Sequence, residues 1–229
     1  MYFDQSYLIL VVPTLIFSMI AQVKVKSTFS KYSQVRCSRN ITGMDAALLL
    51  MKANSISNVA VEPVPGSLTD HYDPRAKKLR LSEPVYGHPS IAAVGVAAHE
   101  TGHAIQHARG YGPLVLRSTL VPAANIGSRF GPILAMVGII FHESVPWLLN
   151  IGILLFAAAV LFYLITLPVE FNASARALAM LKSGGILTPE ELTGAKKVLT
   201  AAALTYVASA LTAIMSLLRL LLIARGRRR

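Results

Sequence analysis

Long apolar runs alternate with stretches of mixed polarity along the chain. Tyr7 to Val23 reads YLILVVPTLIFSMIAQV without a charge, and about 17 residues is the lower limit for crossing a hydrocarbon core of about 30 Å. A second run, Leu120 to Phe141, is interrupted by Asn125, Ser128 and Arg129. After the polar turn His142-Glu143-Ser144, a third and more apolar run covers Pro146 to Leu167. The fourth covers Leu199 to Ile223, with Arg219 near enough to its end to snorkel. Four membrane-spanning helices are predicted. The first is read as a retained anchor, because the start MYFDQ carries only Asp4 and lacks the basic residues and cleavage site of a signal peptide.

Between these runs the periodicity changes. ITGMDAALLLMKANS (41 to 55) places Ala46, Leu49, Leu50 and Ala53 on one helical face. Val59 to Val61 and Leu79 to Leu81 read as short strands, separated by turn residues from Pro63 to Pro74. A helix is predicted from Pro89-Ser90 to about Arg109, stopped by Gly110 and Gly112. After Pro168 a separate helix carries VEFNASARALAML as far as Gly184-Gly185, and Thr188-Pro-Glu-Glu191 opens the last helix with a capping box. The predicted organisation is an anchor (1–23), a catalytic segment (24–117), a hairpin of two spans (118–168), a continuation of the catalytic segment (169–198), and a last span with a basic tail (199–229). This is a mainly α membrane protein with four transmembrane helices and a small α+β domain.

Composition agrees with a membrane chain: 54% of the 229 residues are apolar and the mean hydropathy is +0.54. The net charge of +11 would suggest nucleic acid in a soluble protein. Here the basic residues flank the spans, and no aromatic-interleaved basic patch is present, so no nucleic-acid partner is expected. The charges instead report topology: Lys24, Lys26, Lys31, Arg36, Arg39, Arg109, Arg117, Arg176, Lys182, Lys196 and Lys197 fall on the domain side, against Arg225, Arg227, Arg228 and Arg229 opposite. That asymmetry favours a cytoplasmic domain in a multi-pass cell-membrane protein, although the basic tail argues the other way. The single cysteine, Cys37, excludes a disulfide-stapled scaffold.

Chemistry concentrates in His99-Glu100-Thr101-Gly102-His103. Residues four apart share a helix face, so both imidazoles can reach one ion while Glu100 stands beside it. Zinc suits such a site, with Glu100 as general base for the attacking water. Chance would produce roughly 0.005 such motifs in a chain of this composition. A third ligand is then needed. The pattern with a glycine and third histidine downstream fails, because Gln106 and Arg109 stand there. His107 lies about 12 Å along the helix from His99 by the helical rise. No aspartate follows the motif, since all four (Asp4, Asp45, Asp70, Asp73) precede it. Of the downstream glutamates, Glu143 falls in the turn across the bilayer, and Glu190 and Glu191 serve a helix start. Glu170 follows two spans after the motif and so returns to the same side, which makes it the expected third ligand.

DHYDPRAKKLRLS (70 to 82), SIAAVGVAAHETGHAIQH (90 to 107), PLVLRSTLVPAANIGS (113 to 128) and LPVEFNASARAL (167 to 178) are similar to the YugP-like membrane zinc metallopeptidases. The likeness spans about 68 to 180. A hairpin inserted between the zinc helix and a ligand glutamate more distantly resembles the HtpX and CAAX-prenyl-protease type. The resemblance implies a zincin-like, gluzincin-type catalytic domain, with Zn2+ held by His99, His103 and Glu170 and with Glu100 as catalytic base. The family pattern often has an acid two residues after that glutamate. This chain has Asn172, whose role near the metal would be that of an amide.

Supporting roles are more open. Asp70 or Asp73 can orient a zinc-bound histidine, or simply serve the turn before Pro74. His71, Tyr72, Tyr86 and His88 are candidates for polarising the substrate carbonyl. Leu79 to Leu81 is a candidate edge strand for an extended peptide, with a core strand as the alternative. Arg129 with Asn125 is a candidate binding pair within the hairpin, set against a snorkelling arginine. The expected function is membrane-anchored zinc metalloendopeptidase, acting on peptide or membrane-protein substrates at the bilayer. The alternative is a zinc-containing membrane scaffold or chaperone-like protein without hydrolytic activity.

Overall fold

A computed structural model describes residues 5–226. Asp4 and Arg227 to Arg229, used above for the start of the chain and its basic tail, lie outside the described residues. The chain is mainly helical, with one small sheet, and it divides into two compact units. One comprises residues up to 21, Val115–Pro168 and residues from 205 on; the other comprises Gln22–Leu114 and Val169–Leu204.

The first unit holds apolar helix. A π-helical turn, Tyr7–Val11, leads into α1 (Val12–Ser33). Four described helices have the length and hydropathy to cross a bilayer: Tyr7–Ser33, Gly112–Ile140 (α5), Trp147–Ser183 (α6) and Pro189–Gly226 (α7). Within this unit, α5 and α6 pack backbone to backbone. A Cβ on Gly127, Gly131 or Gly138 of α5 would collide with Leu155, Phe156 or Leu149 of α6, and one on Gly152 would collide with Ala135. Such small-residue contacts are how membrane helices associate when the hydrophobic effect offers no preference. Ala135, Leu149, Phe156, Ala159, Val160, Ala213 and Leu220 fill the space around them. Between α1 and α7, Ser18 and Thr212 share a hydroxyl hydrogen bond of 3.2 Å.

The second unit is α+β. Helix α2 (Gly43–Ala53) begins at a reciprocal capping box: Asp45 N–H donates to Thr42 Oγ1 at 3.1 Å, and Thr42 N–H donates to Asp45 Oδ2 at 2.9 Å. Strands β1 (Ala60–Val64), β2 (His71–Asp73) and β3 (Lys78–Ser82) form one sheet in the order β1-β3-β2, with β1 parallel and β2 antiparallel to β3. The expectation of Leu79 to Leu81 as an edge strand is therefore corrected: β3 is central. Its Leu79 and Leu81 are fully buried, and its remaining edge is taken by β2, which the pattern missed because His-Tyr-Asp is short, polar and set among turn residues. A short helix, α3 (Glu83–Tyr86), connects to α4 (Ile91–Ala108). Ser90 Oγ caps α4 by accepting from Ala93 N–H at 3.1 Å, and Gly110 ends it at φ +60°.

Pro168 does not start a new helix, contrary to the expectation of a separate helix there: α6 runs through it without a break. An interior proline costs about 3 kcal/mol by removing one hydrogen bond and crowding the preceding turn. Against this, Val169, Ala173, Ala177 and Leu181 form a fully buried stripe at four-residue spacing, fixing the helix beyond the proline. Helix α7 opens at Thr188 and Glu191 as the capping box requires, with Thr188 N–H donating to Glu191 Oε2 at 2.9 Å.

Candidate metal centre

Helix α4 presents His99 and His103 on one face because they are four residues apart. Gly102, between them, lies against α6: a Cβ there would come within 2.8 Å of the Ala173 carbonyl oxygen. Only a glycine lets the two backbones approach so closely. The approach brings Glu170, one turn before Ala173, to the imidazoles. His99 Nε2 lies 3.2 Å and His103 Nε2 3.5 Å from the same oxygen, Glu170 Oε2. The three donor atoms all fall within 4.8 Å of one another and can hold a metal ion. Donors around a tetrahedral zinc at 2.0–2.1 Å are about 3.3 Å apart, a spacing that the two histidine–glutamate distances match, and two imidazoles with a carboxylate are donor types suited to that ion.

The outer nitrogens of both rings are also held. His99 Nδ1 is 3.1 Å from Ser174 Oγ, and His103 Nδ1 is 3.0 Å from Gln106 Oε1. The orientation of Gln106 follows from its other contacts. Its Nε2 donates to the Val169 carbonyl at 2.8 Å and to Asn172 Oδ1 at 3.0 Å, and Asn172 Oδ1 also accepts from Arg176 Nε at 2.7 Å. The amide oxygen is thereby turned to His103 and accepts from its Nδ1–H, which leaves Nε2 facing Glu170. Gln106 is completely buried. Burial alone would depress the His103 pKa. Its hydrogen bond to Glu170 and the charges of Glu100 and Glu170 outweigh that, and hold the metal-free imidazole above its ordinary value.

Glu100 is 8% exposed and makes no hydrogen bond among the described residues. Its charge acts on His103 and on Asp70. Asp70 does not reach a histidine: it accepts from Ser82 N–H at 2.7 Å and Ser82 Oγ at 2.8 Å, fixing the end of β3. Burial pushes its carboxyl above the ordinary value despite these bonds, and Glu100 adds to the effect. Asp73 serves the turn, accepting from Arg75 and Ala76 N–H and pairing with Arg80 at 3.1 Å; these contacts, led by the Ala76 bond, lower its pKa. The expectation that Asp70 or Asp73 orients a cluster histidine is thus corrected. Ser174 and Gln106 occupy that role because each lies one turn from a cluster residue on the same helix.

Other candidates lie apart from the cluster. His71 is exposed on β2, its Nδ1 2.8 Å from the Thr69 carbonyl and its Nε2 3.3 Å from Arg80. Tyr72 Oη meets His107 Nδ1 at 2.8 Å, and burial raises the phenol pKa, with Asp73 contributing. Tyr86 packs half-buried against the core of Leu79, Leu81 and Val85. No hydrogen bond joins Tyr86 or His88 to the cluster among the described residues. Asn172 does join it, through Gln106. Arg129 does not bind within the hairpin: it is exposed, with its guanidinium 5.9 Å from the Phe130 ring.

Residues 7–225 match the model of a family described as "Putative neutral zinc metallopeptidase". The chain is also 49% identical over 217 residues to "Putative membrane protease YugP" of Bacillus subtilis (strain 168), covering 95% of this chain and 96% of that protein. No solved structure matches.

Proposed function

Because the chain belongs to this zinc metallopeptidase family and carries four apolar helices, we propose that it is a membrane-anchored endopeptidase in which His99, His103 and Glu170 hold zinc and Glu100 is the catalytic base. The catalytic domain comprises 24–117 and 169–198, acting at the cytoplasmic face. The observation carrying this reading is the convergence of two imidazole Nε2 atoms on one carboxylate oxygen, beside the buried Glu100, whose side chain makes no hydrogen bond among the described residues.

Bound zinc supplies a Lewis acid, which polarises the scissile carbonyl and lowers the pKa of a water at the site. The remaining work belongs to the chain. Ser174 and Gln106 keep the two rings facing inward. Glu100 accepts the water proton as the oxygen attacks and returns it to the departing amine. Nearby Asp70 holds the end of β3 in place beside this carboxylate. Peptide or membrane-protein segments are the substrates this chemistry serves.

The test is Glu100→Gln in the full-length, zinc-loaded protein. Zinc content is expected to be unchanged while turnover of a fluorogenic peptide falls by about 10²-fold or more. Retained turnover would refute the base assignment, and absence of turnover in the unaltered protein across peptide libraries would favour the scaffold reading. Glu170→Ala is expected to lose zinc; full occupancy would remove Glu170 from the ligand set. For orientation, a C-terminal tag should be protected from protease in inside-out vesicles.

A further inference from the structure

Helix α5 presents its polar groups away from its partner in the hairpin. Gly127 and Gly131 meet α6. At about 100° per residue, Arg129 lies nearly opposite both of them. Asn125, one turn before it, and Ser128 share its exposure, as does Pro122. Pro132 has no N–H to donate to the Ser128 carbonyl, so that backbone acceptor also lacks its usual helical bond.

Depth makes this costly. In the apolar run from Leu120 to Phe141, Arg129 sits about 14 Å from one end and about 18 Å from the other by the helical rise. Both distances exceed the length of an arginine side chain, so the guanidinium reaches water only at the cost of distorting the bilayer around it. An unpaired arginine at the centre of a span is among the most costly residues to insert, and such residues pair with a partner. No ion pair involves it among the described residues. Within Val115–Pro168 the only acid is Glu143, in the turn after α5. A second copy would bring another arginine rather than a carboxylate, and lipid phosphates lie at the interface rather than at this depth.

We infer that the Asn125–Arg129 face of α5 docks a transmembrane helix of another protein that carries an acidic side chain within its apolar stretch. Charge complementarity selects this occupant, and Asn125 adds an amide to the same contact. The inference does not depend on peptide hydrolysis, and binding can be measured whether or not the protein is active.

The experiment uses the full-length protein in phosphatidylcholine nanodiscs, with a donor fluorophore at its C-terminus. Two acceptor-labelled transmembrane peptides serve as probes, one of polyleucine and one with a single central aspartate. The aspartate peptide is expected to associate at least tenfold more strongly. Arg129→Leu should abolish that preference, while Arg129→Lys and Arg219→Leu should retain it. Equal association of the two peptides would overturn the inference, as would a preference that survives Arg129→Leu. It would also fall if phosphatidylglycerol erased the preference, assigning the face to lipid headgroups, or if Arg129→Leu abolished association between copies of the protein. Unchanged zinc content and thermal unfolding of each variant establish that it is folded.

Discussion

In the α+β unit, α4 and α6 meet through Gly102 and Ala173, and the polar side chains at the contact are turned inward and paired. In the membrane unit, α5 and α6 meet through Gly127, Gly131, Gly138 and Gly152, and the polar side chains of α5 are turned outward. The backbone device is the same, close approach where no Cβ intervenes. Its consequence differs: in one unit it brings three potential metal donors within 4.8 Å of one another, in the other it only holds two helices together. Closely spaced glycines therefore do not by themselves indicate a site; the partners they bring together do.

Substitutions can break this contrast. The largest effect is expected for Gly102→Val, whose Cβ meets backbone on α6. Separation of α4 from α6 should lower zinc affinity at least hundredfold and destabilise the unit by about 1–3 kcal/mol, read by chelator competition and thermal unfolding; affinity within threefold of the unaltered protein would show that the approach is not needed. Gln106→Leu comes next. It removes the acceptor for His103 Nδ1 and should reduce zinc affinity about 10–100-fold without separating the helices. Gly131→Leu should destabilise the hairpin by about 1–3 kcal/mol yet leave zinc affinity unchanged within about threefold; a large affinity loss would erase the distinction between the units. Asp45→Ala, remote from both contacts, should cost only about 0.3–1 kcal/mol through its helix cap. The Thr42 hydrogen bonds lower the Asp45 pKa from its ordinary 3.8. Its stabilisation is therefore present above that value and disappears as pH falls through the depressed one, so unfolding curves of the variant and the unaltered protein should converge only in strong acid.

Much of this arrangement was legible beforehand. The spans announce themselves by hydropathy, the histidine pair by helical spacing, and Glu170 by the parity of two crossings and the scarcity of downstream acids. The residues that orient the rings were not. Gln106 drew notice only for failing to be a glycine, and Ser174 not at all, because their roles depend on how α4 lies on α6. A simple signal was available: each stands one turn from a cluster residue on the same face. The path of α6 through Pro168 was hidden for a different reason. Local backbone preference argues for a break, and the buried stripe that overrides it becomes visible only once its packing partners are known. The position of β3 likewise depended on β2, three polar residues that pair only because β3 is there to receive them.

The spacing of the cluster along the chain has a further consequence for biosynthesis. Glu170 lies 71 residues after His99, and at about 5–20 residues per second this is a delay of roughly 4–14 s. Helix α5 and the part of α6 that precedes Glu170 are synthesised in that interval. The growing polypeptide therefore enters the bilayer with two imidazoles but no carboxylate to join them, and the donor set is completed only after the ribosome has finished the intervening spans.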